Sequence, residues 1–157
     1  MEPLPQEKKL EYLLRSSKIV ADGFLGNDPR SPEQIIETDL SALMHLGYTP
    51  EQVAERMQEL TAIAIPQMGN AIRASDKLEV SCEDYKGDII CPWPHPVRLA
   101  KRVTVAKRLD TAESVRWSDL NIHMIAEHGF FEGHGSAFRV EPALLVRVIF
   151  EDFAGPV

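Results

Sequence analysis

Cysteine is almost absent from this chain: Cys82 and Cys91 are the only two in 157 residues. That scarcity excludes a small scaffold stapled by disulfides, and the length is enough for one domain to bury a core without staples. Positive charge is also in deficit, with 17 Lys and Arg against 24 Asp and Glu, a net charge of -7. Such a chain repels phosphate backbones and anionic lipid, so neither nucleic acid nor a membrane is an expected partner. No apolar run approaches the ~18 residues of a membrane span. The first residues show no basic start followed by an apolar stretch, so a cytoplasmic location with reduced thiols is expected. Internal repeats, the phosphate-loop pattern G-x-x-x-x-G-K-[ST] and the zinc-protease pattern H-E-x-x-H are all missing.

What is present is an ordinary globular composition, 44% hydrophobic and 26% charged, arranged in clear periodicities. Leu10, Leu13, Leu14, Ile19 and Val20 mark one helix face from Glu7 to about Gly23. "RSPEQIIETDLSALMHLG" offers Ser31 as cap, Pro32 at the first helical position and an apolar stripe ending at Gly47. "YTPEQVAERMQELTAIA" repeats that order with Thr49 and Pro50, and Pro66 predicts a kink or break before a last helical segment, Gln67 to Ala74. The stretch "LGYTPEQV", Leu46 to Val53, resembles the loop between the first two helices of ubiquitin-associated-type three-helix domains. That resemblance implies a small apolar loop able to touch a partner, although capping rules alone produce the same order of residues.

After Ala74 the periodicity becomes alternating. "KLEVSCEDYKGDIICPWP" reads as a hairpin reversing at Lys86 and Gly87, with Val80 opposite Trp93, Cys82 opposite Cys91 and Asp84 opposite Ile89. "KRVTVAKRL" is a further strand, and the three prolines of "CPWPHPVR" make an extended connection that cannot pair in a sheet interior. Ser118 caps a late helix, with Trp117 placed to staple onto Ile122 and Gly129 as its terminator. Pro142 opens a final apolar element, read as helix with strand left open. The expected fold is α+β in a single domain over 1–157. A helical part of three to four helices (1–75) covers a small, mainly antiparallel sheet with one or two late helices (76–157).

Candidate chemistry concentrates in a few places. The proposed register makes Cys82 and Cys91 an opposed thiol pair about 4.5 Å apart, with three readings open: two buried hydrophobes, a redox pair, or two zinc ligands. His95, four residues after Cys91, is either an exposed loop residue or a third ligand beside both thiols. His123 and His128 are five residues apart, about 140° around a regular helix, an angle that argues against a shared metal. His123 and Glu127, four apart on one face, suit an acid–base pair. In "HGFFEGHGSAFR", His128 and His134 with Glu132 form a candidate metal set, beside the simpler reading of a helix end and a turn. Arg98, Lys101, Arg102, Lys107 and Arg108 form a basic strand that suits an anion or serves as a solvated face. Function is left as three readings: protein contact or self-association, a zinc-type hydrolase or metal-binding protein using the His128–His134 loop, and an anion-binding module. Whether the chain is an enzyme is left open.

Overall fold

The computed structural model describes residues 5–16 and 23–151 of the chain. Among them, α1 (Pro5–Arg15), α2 (Pro32–His45) and α3 (Pro50–Ala64) precede a four-stranded antiparallel sheet. Its strands are β1 (Ile72–Arg73), β2 (Leu78–Ile90), β3 (Arg98–Arg108) and β4 (Ser114–Ser118), in the order 1-2-3-4. Two further helices follow, α4 (Asp119–His128) and α5 (Pro142–Ile149). The fold is α+β, as the change of periodicity implies. No helix among the described residues is long and apolar enough to cross a membrane.

The capping signals act as physical stops and starts. Ser31 Oγ accepts from the Gln34 amide while the Gln34 side chain accepts from the Ser31 amide, and Thr49 with Gln52 repeats this reciprocal pair. Pro66 ends α3 in a short 3-10 turn, Ile65–Gln67, and the expected helical segment beyond it is replaced by β1. α1 ends at Arg15, and the expected extension over Ile19 and Val20 lies outside the described residues. The chain then returns onto α1, with the Phe24 amide donating to the Leu14 carbonyl at 2.7 Å.

The sheet corrects the expected hairpin. There is no reversal at Lys86 and Gly87: β2 runs through them as a bulge between Tyr85↔Lys101 and Asp88↔Ala100, with Gly87 at φ 99°. A glycine at positive φ serves a bulge as readily as a tight turn, and only the longer pairing distinguishes them. The turn falls instead at the proline-rich connector 91–97, between β2 and β3. Cys82 therefore lies opposite Thr104, not Cys91, and the thiols are not a pair.

Two cores result. The main one packs Leu43, Met57 and Leu60 of α2 and α3 against Val80, Cys82, Ala106 and Trp117 of the sheet and Ile122 and Ile125 of α4. Each fully buried aliphatic side chain there contributes about 1.5–3 kcal/mol. Thr61 on α3 joins the layers, accepting from Trp117 Nε1 at 3.0 Å and lying 3.1 Å from Thr104 Oγ1, so no polar atom of this buried trio lacks a partner. The second core gathers Leu14, Phe24, Leu25, Ile35, Leu120, Met124 and Phe130 around Cys91.

A buried ion pair ties α2 to the late loop. Arg139 forks onto both carboxylate oxygens of Asp39, with Nη2–Oδ1 at 2.9 Å, and donates a further bond to the Glu132 carbonyl at 2.7 Å. The two side chains are 8% and 6% exposed; Arg139 also meets Glu141 at 3.1 Å, so it is loss of Arg139 that strands a charge, the Asp39 carboxylate, out of water. Arg139→Ala should lower unfolding free energy by about 3–5 kcal/mol in urea denaturation, whereas a loss below about 1 kcal/mol, the range of an exposed pair, would contradict this assignment.

Candidate metal centre

α4 is fixed at both ends by its sequence. Ser118 Oγ accepts from the Asn121 amide at 3.0 Å and Asn121 Oδ1 accepts from the Ser118 amide at 2.8 Å. Gly129, at φ 64°, closes the helix in the left-handed conformation. Between these stops, Leu120 and Met124 enter the second core while Ile122 and Ile125 enter the main one. His123 and His128 are left facing the connector.

The connector meets them. Pro92, Pro94 and Pro96 have no amide proton to pair in a sheet, and the connector is not the expected extended link but a tight reversal, with the His95 amide donating to the Trp93 carbonyl at 2.7 Å and the Val97 amide to the His95 carbonyl at 2.9 Å. Trp93 stacks on His128, ring centroids 4.0 Å apart and planes 5° from parallel, and meets Phe130 edge-on at 5.4 Å. His95 is thereby set between the two helix histidines: its Nε2 lies 3.1 Å from His128 Nε2 and 3.4 Å from His123 Nε2. Cys91 Sγ lies 3.7 Å from His128 Nε2. Donor atoms of all four residues fall within 4.8 Å of one another. In a tetrahedron with zinc distances of about 2.0–2.3 Å, donors are about 3.3–3.6 Å apart, and the three contacts bracket that span.

The protonation chemistry favours a cation among these atoms. A neutral imidazole Nε2 is either donor or acceptor, so three of them meeting together cannot all be satisfied by mutual hydrogen bonds. An extra proton is resisted: burial, then the charges of His123 and His95, holds His128 down to about 4. Burial, followed by the charge of His95, lowers His123 as well. Both rings therefore keep a lone pair at neutral pH, the state a metal requires. Burial pushes the Cys91 thiol up, and a bound ion would reverse that by taking the thiolate. The negative charge of Glu127 partly offsets the depression at both helix histidines.

The residues singled out in the sequence are distributed unevenly. His128 and His123 join the centre, together with Cys91 and His95. The helical-angle argument against sharing is overturned, because a 140° separation fixes the Cα–Cβ directions and leaves the ring tips free to turn toward donors on another segment. Glu127 is exposed, and no hydrogen bond links it to His123. His134 and Glu132 do not join the cluster. The His134 ring is 57% exposed and lies 3.7 Å from Glu141 and 3.8 Å from Asp28, while its amide donates to Asp28 at 3.1 Å. The loop glycines serve backbone docking: a Cβ on Gly133 would sit 2.4 Å from the Leu25 carbonyl oxygen, and one on Gly26 would sit 2.3 Å from the Ser136 nitrogen. Of the basic strand, Arg102 is held by Asp84 and Asp119, and Arg108 by Asp110 and the carbonyls of Arg147 and Glu151. Arg98, Lys101 and Lys107 are exposed.

The full donor set has a sequence signal: C-x3-H at Cys91 and His95, then H-x4-H at His123 and His128. Those intervals lie within the two-to-five-residue ligand spacings of tetrahedral zinc sites. An α+β domain with a one-thiol, three-imidazole donor cluster is the class that fold and site define. Comparison of the chain with protein-family models, curated proteins and solved structures gives no match.

Glu132 has a different role. It is 4% exposed, sits at φ 68° in the left-handed region, and accepts from Asn121 Nδ2 at 2.8 Å. Burial raises its carboxyl from 4.5 to about 7. A folded value above the unfolded one means the stabilisation is complete below 4.5 and is lost as pH rises through 7. Glu132→Gln should remove that loss, so the variant gains on the parent protein with rising pH. Thermal melts across this range with unchanged pH slopes in the two proteins would refute the assignment.

Proposed function

We propose that this protein binds a transition metal, zinc first, through Cys91, His95, His123 and His128, and that the ion clamps the β2–β3 connector onto α4. The observation that carries the reading is the convergence of one sulfur and three imidazole nitrogens from two segments within 4.8 Å. Mixed thiolate and imidazole donors, four in number, suit zinc, while magnesium and calcium prefer oxygen. Four protein donors fill a tetrahedron, which favours a structural or storage role over hydrolysis, since a hydrolytic ion keeps one position for water. Zinc with a single thiolate leaves one net positive charge. It would lie at the C-terminal end of α4, where the helix dipole is negative, and near Glu127.

Protein purified without an affinity tag or chelator should contain about one zinc per chain by elemental analysis. Cobalt substitution should give tetrahedral d–d bands with a thiolate charge-transfer band that Cys91→Ser removes. His95→Ala, His123→Ala and His128→Ala should each weaken the metal by more than about a hundredfold, while His134→Ala and Cys82→Ser leave it unchanged. No stoichiometric metal after growth in zinc, nickel or copper, or full retention in the His95 variant, would end the reading.

A second reading, self-association through helix faces, is supported by Met44, an apolar side chain 72% exposed on α2. Light scattering at micromolar concentration tests it, and a monomer there removes it.

A further inference from the structure

At the other end of α4 the structure forms a cleft of about 380 Å³, within the size range of small-molecule sites. Its floor is apolar: Phe24, Ile89, Val103, Leu120 and Phe138 line it. Three cations, Lys101, Arg102 and Arg116, stand at its walls, in a protein whose net charge is -7. Their electrostatic states differ. Arg102 is neutralised by Asp84 and Asp119. Arg116 has no ion pair among the described residues, donating to the Ala137 carbonyl at 2.8 Å with its guanidinium 4.5 Å from the Phe138 ring centroid. Lys101, exposed on the outer face of the sheet, forms no hydrogen bond or ion pair with the described residues.

The same cleft holds Glu132, the one acidic residue among its lining groups. Its left-handed backbone is unfavourable for a side chain of this kind, by about 1–2 kcal/mol. Backbone strain at a cavity wall is a feature that clusters at binding sites.

We propose that this cleft binds a small amphiphilic carboxylate, its compact apolar body seated on Val103, Leu120 and Phe138 and its charge met by Lys101 and Arg116. The complementarity has two parts: an apolar floor that gains from covering, and two positive groups without acidic partners, which favour an anion over a neutral or cationic analogue. The position is independent of the metal centre, since Ser118 and Leu120 at the start of α4 line the cleft while His123 and His128 serve the other site.

Calorimetric titration of the full chain with phenylbutyrate, phenylbutanol and phenylbutylamine tests the proposal. The acid should bind once per chain, about tenfold or more tighter than the alcohol, with the amine weakest and the acid's advantage shrinking at high salt. Lys101→Glu should lower affinity for the acid about tenfold, and Val103→Trp should abolish binding by filling the floor. Lys107→Glu, on the same strand but outside the cleft, and His95→Ala should leave binding unchanged, each variant first shown to melt as the parent does. Equal binding of acid and alcohol, an unaffected Lys101 variant, or no binding of any of the three compounds would overturn it.

Discussion

The packing of α4 between two cores is the constraint on which the rest of the structure depends. Its ten residues leave few free directions: Ile122 and Ile125 face the sheet and α3, while Leu120 and Met124 face α1 and the loop after it. A helix buried on two sides cannot rotate without exposing one stripe or the other, at about 25 cal/mol for each Å² of apolar surface returned to water. His123 and His128 flank the Leu120 and Met124 stripe on its two sides, so their placement follows from the hydrophobic packing and does not require a metal to impose it. Asn121 adds a polar lock. Its amide group donates to both Glu132 and the Phe138 carbonyl while its oxygen caps the helix, so helix start, buried acid and late loop are set together.

Much of the helical architecture was legible because its signals are local. Ser31, Thr49 and Ser118 cap through atoms three residues away, and Gly129 needs only its own backbone freedom, so short-range chemistry decides those boundaries. The sheet was legible as a class and not as a register. Lys86 and Gly87 satisfy the local requirements of a turn, and what makes them a bulge is the gain from pairing Asp88, Ile89 and Ile90 with the first residues of β3, across the connector. Pattern along one strand carries no information about how long its partner is.

The metal centre was hidden for a related reason. The four donors fall into different groupings in the sequence, Cys91 and His95 with Cys82, and His128 with His134 and Glu132, for two reasons: a hairpin that joins Cys91 to Cys82, and a helix wheel that separates His123 from His128. Both treat a segment in isolation. The connector resolves them, because three prolines strip it of pairing partners while Trp93 anchors it on His128, which puts His95 where the helix wheel alone leaves a gap. The histidine of the glycine-rich loop went the other way. Gly26 and Gly133 bring two backbones closer than any side chain would permit, and His134 is carried outward by that docking.

The proposed metal and the proposed carboxylate use opposite ends of one helix, and the physics of the helix assigns them in a consistent sense. A cation belongs at the C-terminal end, where unpaired carbonyls concentrate negative potential, and an anion belongs toward the N-terminal end. The side chains agree with the dipole: the neutral imidazoles and a thiol able to ionise lie at one end, the lysine and arginine without acidic partners at the other. Asp119 in the first turn is no contradiction, because Arg102 pairs with it and burial raises its carboxyl. Since α4 is wedged between two cores, a displacement at one end must be taken up by packing at the other or by the loops around it. Coupling between the sites is therefore limited to what Asn121, Glu132 and the late loop can transmit, and a rigid wedge of this kind favours two independent sites over a switch.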